Sequence, residues 1–142
     1  MSDSAALHIL VVDDDPLQLR TSRRVLARLG FRVTTCDGGD CARRWFEQWR
    51  ERRSGGDGTP APFDLVIMDM MLRDGGDGLA IFEELRQIAP EQRGLLVSGH
   101  PPQERAAHAE RLGLAWLTKP YTADALAEAV RAALVARVPK RT

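Results

Sequence analysis

The chain has 142 residues, enough for one domain with a sizeable core and too few for several. Its 20 Lys+Arg balance 20 Asp+Glu, so a formal charge of +0 argues against a nucleic-acid surface, and 44% hydrophobic content argues against an acidic disordered tail. No run approaches the roughly 18 apolar residues of a membrane span, and Met1 to Leu7 lacks the basic-then-apolar pattern of a secretory signal.

Apolar runs then alternate with helical patterns. Ile9-Leu10-Val11-Val12 is a continuous β-branched-rich run, as a strand covered on both faces requires, and it stops at Asp13-Asp14-Asp15. Asp15-Pro16 places a carboxylate at an N-cap and proline at the first helical position. Leu19, Ser22, Leu26 and Leu29 share one face of that helix, and Gly30 ends it. Phe31 to Cys36 is the second strand, and Asp40 to about Arg53 the second helix, carrying Trp45, Phe46 and Trp49. Cys36 and Cys41 are too few for a disulfide framework and lack paired histidines for a metal site, so they read as buried thiols of a cytoplasmic protein. Residues 54–62 form a flexible loop by composition.

Leu65-Val66-Ile67-Met68 is a third buried strand ending at Asp69, followed by the glycine-rich stretch from Met70 to Gly78. Leu79 to Ile88 is the third helix, with Ile81, Leu85 and Ile88 as its apolar stripe. Leu95-Leu96-Val97 is a fourth strand ending at Ser98-Gly99-His100, and Pro101 to Leu112 a weaker helix. Ala115-Trp116-Leu117 is a short fifth strand ending at Thr118-Lys119-Pro120. Thr122 caps a last helix through about Val138, with Leu126, Val130 and Leu134 in register. Such alternation with short loops implies parallel strands and right-handed crossovers, hence a three-layer, doubly wound α/β domain with a five-stranded parallel sheet.

In an open parallel sheet, ligands bind at the carboxyl ends of the strands near a switch in strand order. Asp13 and Asp14, Asp69, Ser98 and Lys119 all stand at such ends. Taken singly, each is a cap or turn residue; Asp15 reads as a helix cap only, and Asp74 and Asp77 as turn carboxylates. Together they are complementary. Carboxylates about 4 Å apart repel by about 4 kcal/mol per pair at an effective dielectric near 20, a cost that protonation or a cation relieves. Hard oxygen donors beside a phosphate site favour Mg²⁺. A cation, the Lys119 ammonium and the Ser98 hydroxyl around one aspartate would stabilise a phosphoryl group in transfer, with the aspartate as nucleophile.

The sequence closely resembles the receiver domain of two-component response regulators. Val11-Val12-Asp13-Asp14, the strand-end Asp69, Ser98-Gly99 and Lys119-Pro120 occur in that family's order and at its intervals, over about residues 8–137. The resemblance implies a single receiver domain with the flavodoxin-like strand order 2-1-3-4-5. It implies that Asp69 takes a phosphoryl group from a phosphohistidine on a sensor histidine kinase or histidine phosphotransfer protein. Asp13, Asp14, Asp69 and the backbone carbonyl of Met71 would hold Mg²⁺, Lys119 would pair with the phosphate, Ser98 would follow it, and Gly99 would leave it room. Self-phosphorylation and self-dephosphorylation at Asp69 would be the only chemistry, so the chain is expected to be a signalling switch and not an enzyme with a separate substrate. Trp116 stands where the family usually has a switching tyrosine or phenylalanine, and both switching and fixed packing remain open for it.

The sequence departs from the family pattern in places. Arg73 replaces the common proline, the stretch from Asp69 to Asp77-Gly78 is one residue longer, and the segment from Trp49 to Pro62 exceeds the usual connection. The arginines Arg43, Arg44, Arg50, Arg52 and Arg53 read as a solvated helix face before a docking patch. His100 is expected to border the phosphoryl site and tune the lifetime of the aspartyl phosphate. Only Pro139-Lys140-Arg141-Thr142 follows the last helix, so output is expected through a downstream protein target. The surface for it would include His108, Arg111, Trp116 and Tyr121; a homodimer is compatible, and no nucleic acid or membrane contact is expected. The chain is a stand-alone regulator or a receiver cut from a hybrid kinase or longer regulator. An aspartate-nucleophile phosphatase of the haloacid-dehalogenase type fits Asp13-Asp14-Asp15-Pro16-Leu17 poorly. A non-phosphorylated interaction module is disfavoured by Asp69, Lys119 and Ser98, and a flavin protein by the acidic pocket.

Overall fold

The computed structural model describes residues 6–54, 58–72, 76–99, 103–136 and 138. The strands are β1 (His8–Val12), β2 (Arg32–Cys36), β3 (Leu65–Asp69), β4 (Gly94–Ser98) and β5 (Ala115–Thr118). The helices between and after them are α1 (Pro16–Arg28), α2 (Gly39–Ser54), α3 (Gly78–Ile88), α4 (Gln103–Arg111) and α5 (Ala123–Val135). All neighbouring strands pair in parallel, in the order β2-β1-β3-β4-β5. This is the expected doubly wound architecture.

Period-two alternation within each strand divides the core in two. Leu10, Val12, Val66, Met68 and Leu96 point to one face, where α2, α3 and α4 contribute Phe46, Trp49, Phe82, Leu85 and Ala109. Ile9, Val11, Leu65, Ile67, Leu95 and Val97 point to the other, under Leu26 of α1 and Leu126 and Val130 of α5. Both faces of the central strands are therefore covered, which is why their sequences run apolar without a break.

Helix starts follow local chemistry. Asp15 caps α1, accepting from the Leu17 amide at 3.0 Å, and Thr122 caps α5, accepting from the Ala125 amide at 3.0 Å. Asp77, expected to be a turn carboxylate, is the N-cap of α3, accepting from the Leu79 amide at 3.0 Å, and it also pairs with Arg105 of α4. Gly30 sits at φ +96°, the left-handed conformation that closes α1. Leu29, expected on the buried face of α1, is instead its C-cap and 38% exposed, because the chain turns away there.

The structure corrects the reading of the cysteines. Cys36 and Cys41 are joined by a disulfide, with Cα atoms 5.5 Å apart. Cys36 closes β2 and Cys41 lies in the first turn of α2, so the turn between them folds the two back together, within the usual bridging range. Sequence spacing alone does not reveal such a fold-back.

The loop expected over 54–62 begins with the last residue of α2, and its described part is anchored. Trp49 Nε1 donates to Thr59 Oγ1 at 3.0 Å. Just beyond, Phe63 is buried against the rings of His8, Trp45 and Phe46.

Candidate functional site

The strand order reverses at β1: the chain crosses one way to β2 and the other way to β3. The crevice at such a reversal lies between the loops leaving β1 and β3. The sequence places Asp13 and Asp14 on the first loop, and Asp69 is the last residue of β3.

One carboxylate oxygen from each of Asp13, Asp14 and Asp69 lies within 4.8 Å of the others. Asp13 and Asp69 are buried and Asp14 is half-buried. The backbone holds the first two firmly. The Asp13 amide donates to the Cys36 carbonyl at 3.1 Å, and Asp13 Oδ1 accepts from the Asp15 amide at 2.9 Å. Asp69 Oδ1 accepts from the Met71 amide at 3.1 Å.

Lys119 enters from beyond β5. Its Nζ lies 3.4 Å from Asp69 Oδ2 and 3.7 Å from Asp13 Oδ2. Burial works to lower the Lys119 pKa, but the charges of Asp69 and Asp13 outweigh it and hold the ammonium above the ordinary lysine value. The Asp13 carboxyl is pushed above the ordinary aspartate value, first by burial and then by the Asp69 and Asp14 charges, against the Asp15 amide and Lys119. Ser98, buried at the end of β4, accepts the Lys119 amide on its carbonyl at 2.8 Å and so ties the β4 and β5 loops together. The Lys119-Pro120 peptide is cis.

The structure thus brings Asp13, Asp14, Asp69 and Lys119 into one cluster, with Ser98 tied to it through the backbone of Lys119. Met71 sits two residues beyond Asp69 with a 76% exposed side chain, and its backbone bridges to Asp77 in antiparallel fashion. A Cβ at Gly99 would meet nothing within 4 Å, so the end of β4 presents open space. Arg73, Asp74 and His100 lie outside the described residues. Trp116 is half-buried against the core, and its indole Nε1 is buried with no hydrogen-bond partner among the described residues.

One positioning residue is missed by sequence reasoning. A Cβ built on Gly78 would stand 2.2 Å from the Asp69 carbonyl oxygen, so the first residue of α3 is pressed against the backbone of the central aspartate. The glycines of this stretch signal a tight loop without saying which of them touches the strand.

The donor set suits a hard divalent cation: three carboxylates converge, one of them held reluctant to ionise by its surroundings. Among the described residues no helix is long and apolar enough to cross a membrane.

The family model for the response regulator receiver domain matches residues 9–131. The transcriptional regulatory protein GlrR of Escherichia coli (strain K12) is 32% identical over 133 residues, covering 93% of this chain and 27% of that protein. The C4-dicarboxylate transport transcriptional regulatory protein DctD of Rhizobium meliloti is 28% identical over 131 residues, covering 92% of this chain and 26% of that protein. This chain therefore spans about a quarter of the length of these relatives. Among solved structures, a CheY-like receiver domain protein from Methanospirillum hungatei has a TM-score of 0.75 at 22% identity, over 92% of this chain and 94% of that one. NtrX from Brucella abortus has a TM-score of 0.75 at 29% identity, over 91% of this chain and 27% of that one.

Proposed function

The chain belongs to the response regulator receiver domain family, and from that premise we propose that it is a phosphorylation-dependent switch with Asp69 as phosphoacceptor. The observation that carries this reading is the Lys119 ammonium 3.4 Å from Asp69 Oδ2, beside the converged carboxylates of Asp13, Asp14 and Asp69.

Asp13, Asp14, Asp69 and the carbonyl of Met71 are the residues that would hold Mg²⁺. When bound, the ion supplies positive charge for the equatorial oxygens of a phosphoryl group in transfer and offsets carboxylate repulsion. The remaining work belongs to the chain. An Asp69 carboxylate oxygen attacks the phosphorus of a phosphohistidine, an O–P bond forms, the N–P bond breaks, and the departing imidazole takes a proton from solvent. Lys119, which faces both Asp13 and Asp69, exchanges its contact with Asp69 Oδ2 for the incoming phosphoryl oxygens. The Ser98 hydroxyl donates to the same group. Because the Ser98 carbonyl already holds the Lys119 amide, movement of one loop draws the other.

The donor is a sensor histidine kinase or a histidine phosphotransfer protein. Output runs through a partner surface formed by α4, β5 and α5, including Arg111, Trp116, Tyr121 and His108, whose ring nitrogen lies 3.1 Å from Glu83. The relatives named above are transcriptional regulators, so a DNA-binding protein or domain is a fitting downstream element. The neutral charge of this chain favours DNA contact there over contact through the receiver itself.

Incubation with Mg²⁺ and acetyl phosphate, followed by intact-mass measurement, tests the reading. One phosphoryl group is expected on the wild-type chain and none on Asp69→Ala. Labelling that survives the substitution, or an inert wild type, sinks it.

A further inference from the structure

We propose that Cys36 and Cys41 are a reversible dithiol–disulfide pair whose state sets how well the acidic cluster holds its divalent cation. The inference rests on the phosphoacceptor reading above, and it goes beyond that reading by adding a second input to the same site.

The chain has only these two cysteines, and one bond joins them. Their location couples them to the site. The Cys36 carbonyl accepts the Asp13 amide at 3.1 Å, so the end of β2 holds the backbone of a cluster aspartate. The disulfide in turn fastens that end of β2 to the first turn of α2. Opening it frees the Asp37-Gly38 turn and the start of α2, and relaxes the strand end on which Asp13 hangs.

A purely structural staple is a poor account of the bond. It closes a separation of five residues, and a short closed loop constrains the unfolded chain least. Both cysteines also sit in or against the core cluster already, Cys36 at 2% exposure. The histidine-kinase partner proposed above would put the chain in the reducing interior of the cell, where disulfides are transient and tend to be redox-sensing.

Access is unequal in the way exchange requires. Cys41 is half-buried and Cys36 buried, so Cys41 is the more accessible of the two to an incoming thiolate. The reductant is a dithiol. Its first thiolate attacks Cys41 Sγ, a mixed disulfide forms, the Cys36–Cys41 bond breaks, and Cys36 leaves as a thiolate that takes a proton. The second thiol of the reductant then attacks its own mixed-disulfide sulfur and releases Cys41, which is protonated likewise. Two electrons and two protons pass to the chain, and the reductant leaves as a disulfide. Reversal by an oxidised dithiol restores the bond. The first helical turn favours the thiolate that Cys41 becomes when the second step releases it.

The test uses the full chain in two states. One is oxidised with an oxidised dithiol. The other is reduced with tris(carboxyethyl)phosphine, which is then removed. Each state is verified by thiol alkylation and intact mass. Mg²⁺ affinity is measured by calorimetry, and Asp69 labelling with acetyl phosphate is followed in parallel. The reduced chain is expected to bind Mg²⁺ roughly fivefold more weakly, the low end of coupling between two sites, and to regain affinity on reoxidation. Cys41→Ser is expected to match the reduced chain and ignore redox treatment. Equal affinities in two verified states, tighter binding on reduction, or thiols that an oxidised dithiol does not join overturn the proposal. If Asp69 still labels in those cases, the phosphoacceptor reading stands. If neither state binds Mg²⁺ or labels, that reading fails and this one with it.

Discussion

Lys119 and Asp69 leave strands that are not neighbours, yet Nζ lies 3.4 Å from Oδ2, so one side chain spans the end of β4. The same ammonium is 3.7 Å from Asp13 Oδ2 and therefore offsets repulsion between the two buried carboxylates. Removing it by Lys119→Ala is expected to destabilise the metal-free fold by about 1 kcal/mol, a value kept low because the lysine is partly exposed and solvent screens it. Because the folded-state pKa of Lys119 is raised, its contribution is complete below the ordinary lysine value and disappears as pH rises through the folded one. Urea denaturation of both chains at neutral pH and at pH about 11 checks this: the gap is present at the first and shrinks at the second.

Asp13 behaves in the opposite sense. Burial first, then Asp69 and Asp14, raise its pKa, so its charged form costs stability at neutral pH and the cost vanishes as pH falls through the raised value. Asp13→Asn removes that cost while keeping an oxygen for the Asp15 amide. It is expected to stabilise the metal-free chain by about 1 kcal/mol, seen as a higher melting temperature, and to abolish stabilisation by Mg²⁺. Protons and the proposed cation would compete for the same oxygens. Mg²⁺ affinity of the wild type is therefore expected to fall with decreasing pH earlier than an ordinary aspartate of pKa about 4 would dictate. Calorimetric titration across the acidic range reads this out, and a fall only at the ordinary value would remove Asp13 from the set.

Gly78 tests the backbone side of the cluster. A methyl group there would stand 2.2 Å from the Asp69 carbonyl oxygen, so either α3 or the end of β3 must shift. Gly78→Ala is expected to cost about 3 kcal/mol in denaturant unfolding and to weaken Mg²⁺ binding. Unchanged stability and binding would mean that the contact is not constraining Asp69.

At the other end of the sheet, the fully buried Gln92 side chain binds the Phe63 amide at 3.4 Å and the Phe63 and Arg93 carbonyls at 2.9 Å each. Gln92→Leu keeps the volume and strands the Phe63 amide and carbonyl, while the Arg93 carbonyl keeps the Val66 amide at 3.0 Å, at an expected cost of about 2 kcal/mol. Phosphoryl labelling of Asp69 is expected to persist in the folded fraction, because the substitution lies at the amino ends of the strands.

The sequence makes these features legible to different degrees, for physical reasons. Continuous apolar strands and periodic helices fix the layers, because burial on two faces and on one face leave different residue patterns. Asp13, Asp14, Asp69, Ser98 and Lys119 are readable because each follows an apolar run, and parallel topology gathers those ends. Gln92 is not readable: in Ala-Pro-Glu-Gln-Arg-Gly it looks like a solvated loop residue, and only the approach of the segment before β3 buries it. The Cys36–Cys41 bond and the Gly78 contact are equally hidden, since both depend on how a turn folds back rather than on which residues compose it. Asp77 was half legible. Its capping chemistry is local, whereas its partner Arg105 arrives from another helix.

The hydrogen bond from Trp49 to Thr59 gives the long connection between α2 and β3 a fixed foot on the side of the sheet away from the acidic residues. Length added or removed beyond that foot changes the outline of the domain and leaves the spacing of the aspartates alone. A fluorophore or an affinity handle inserted between Ser54 and Gly58 is therefore expected to report on tumbling and partner capture without disturbing the phosphoryl chemistry proposed for the far end.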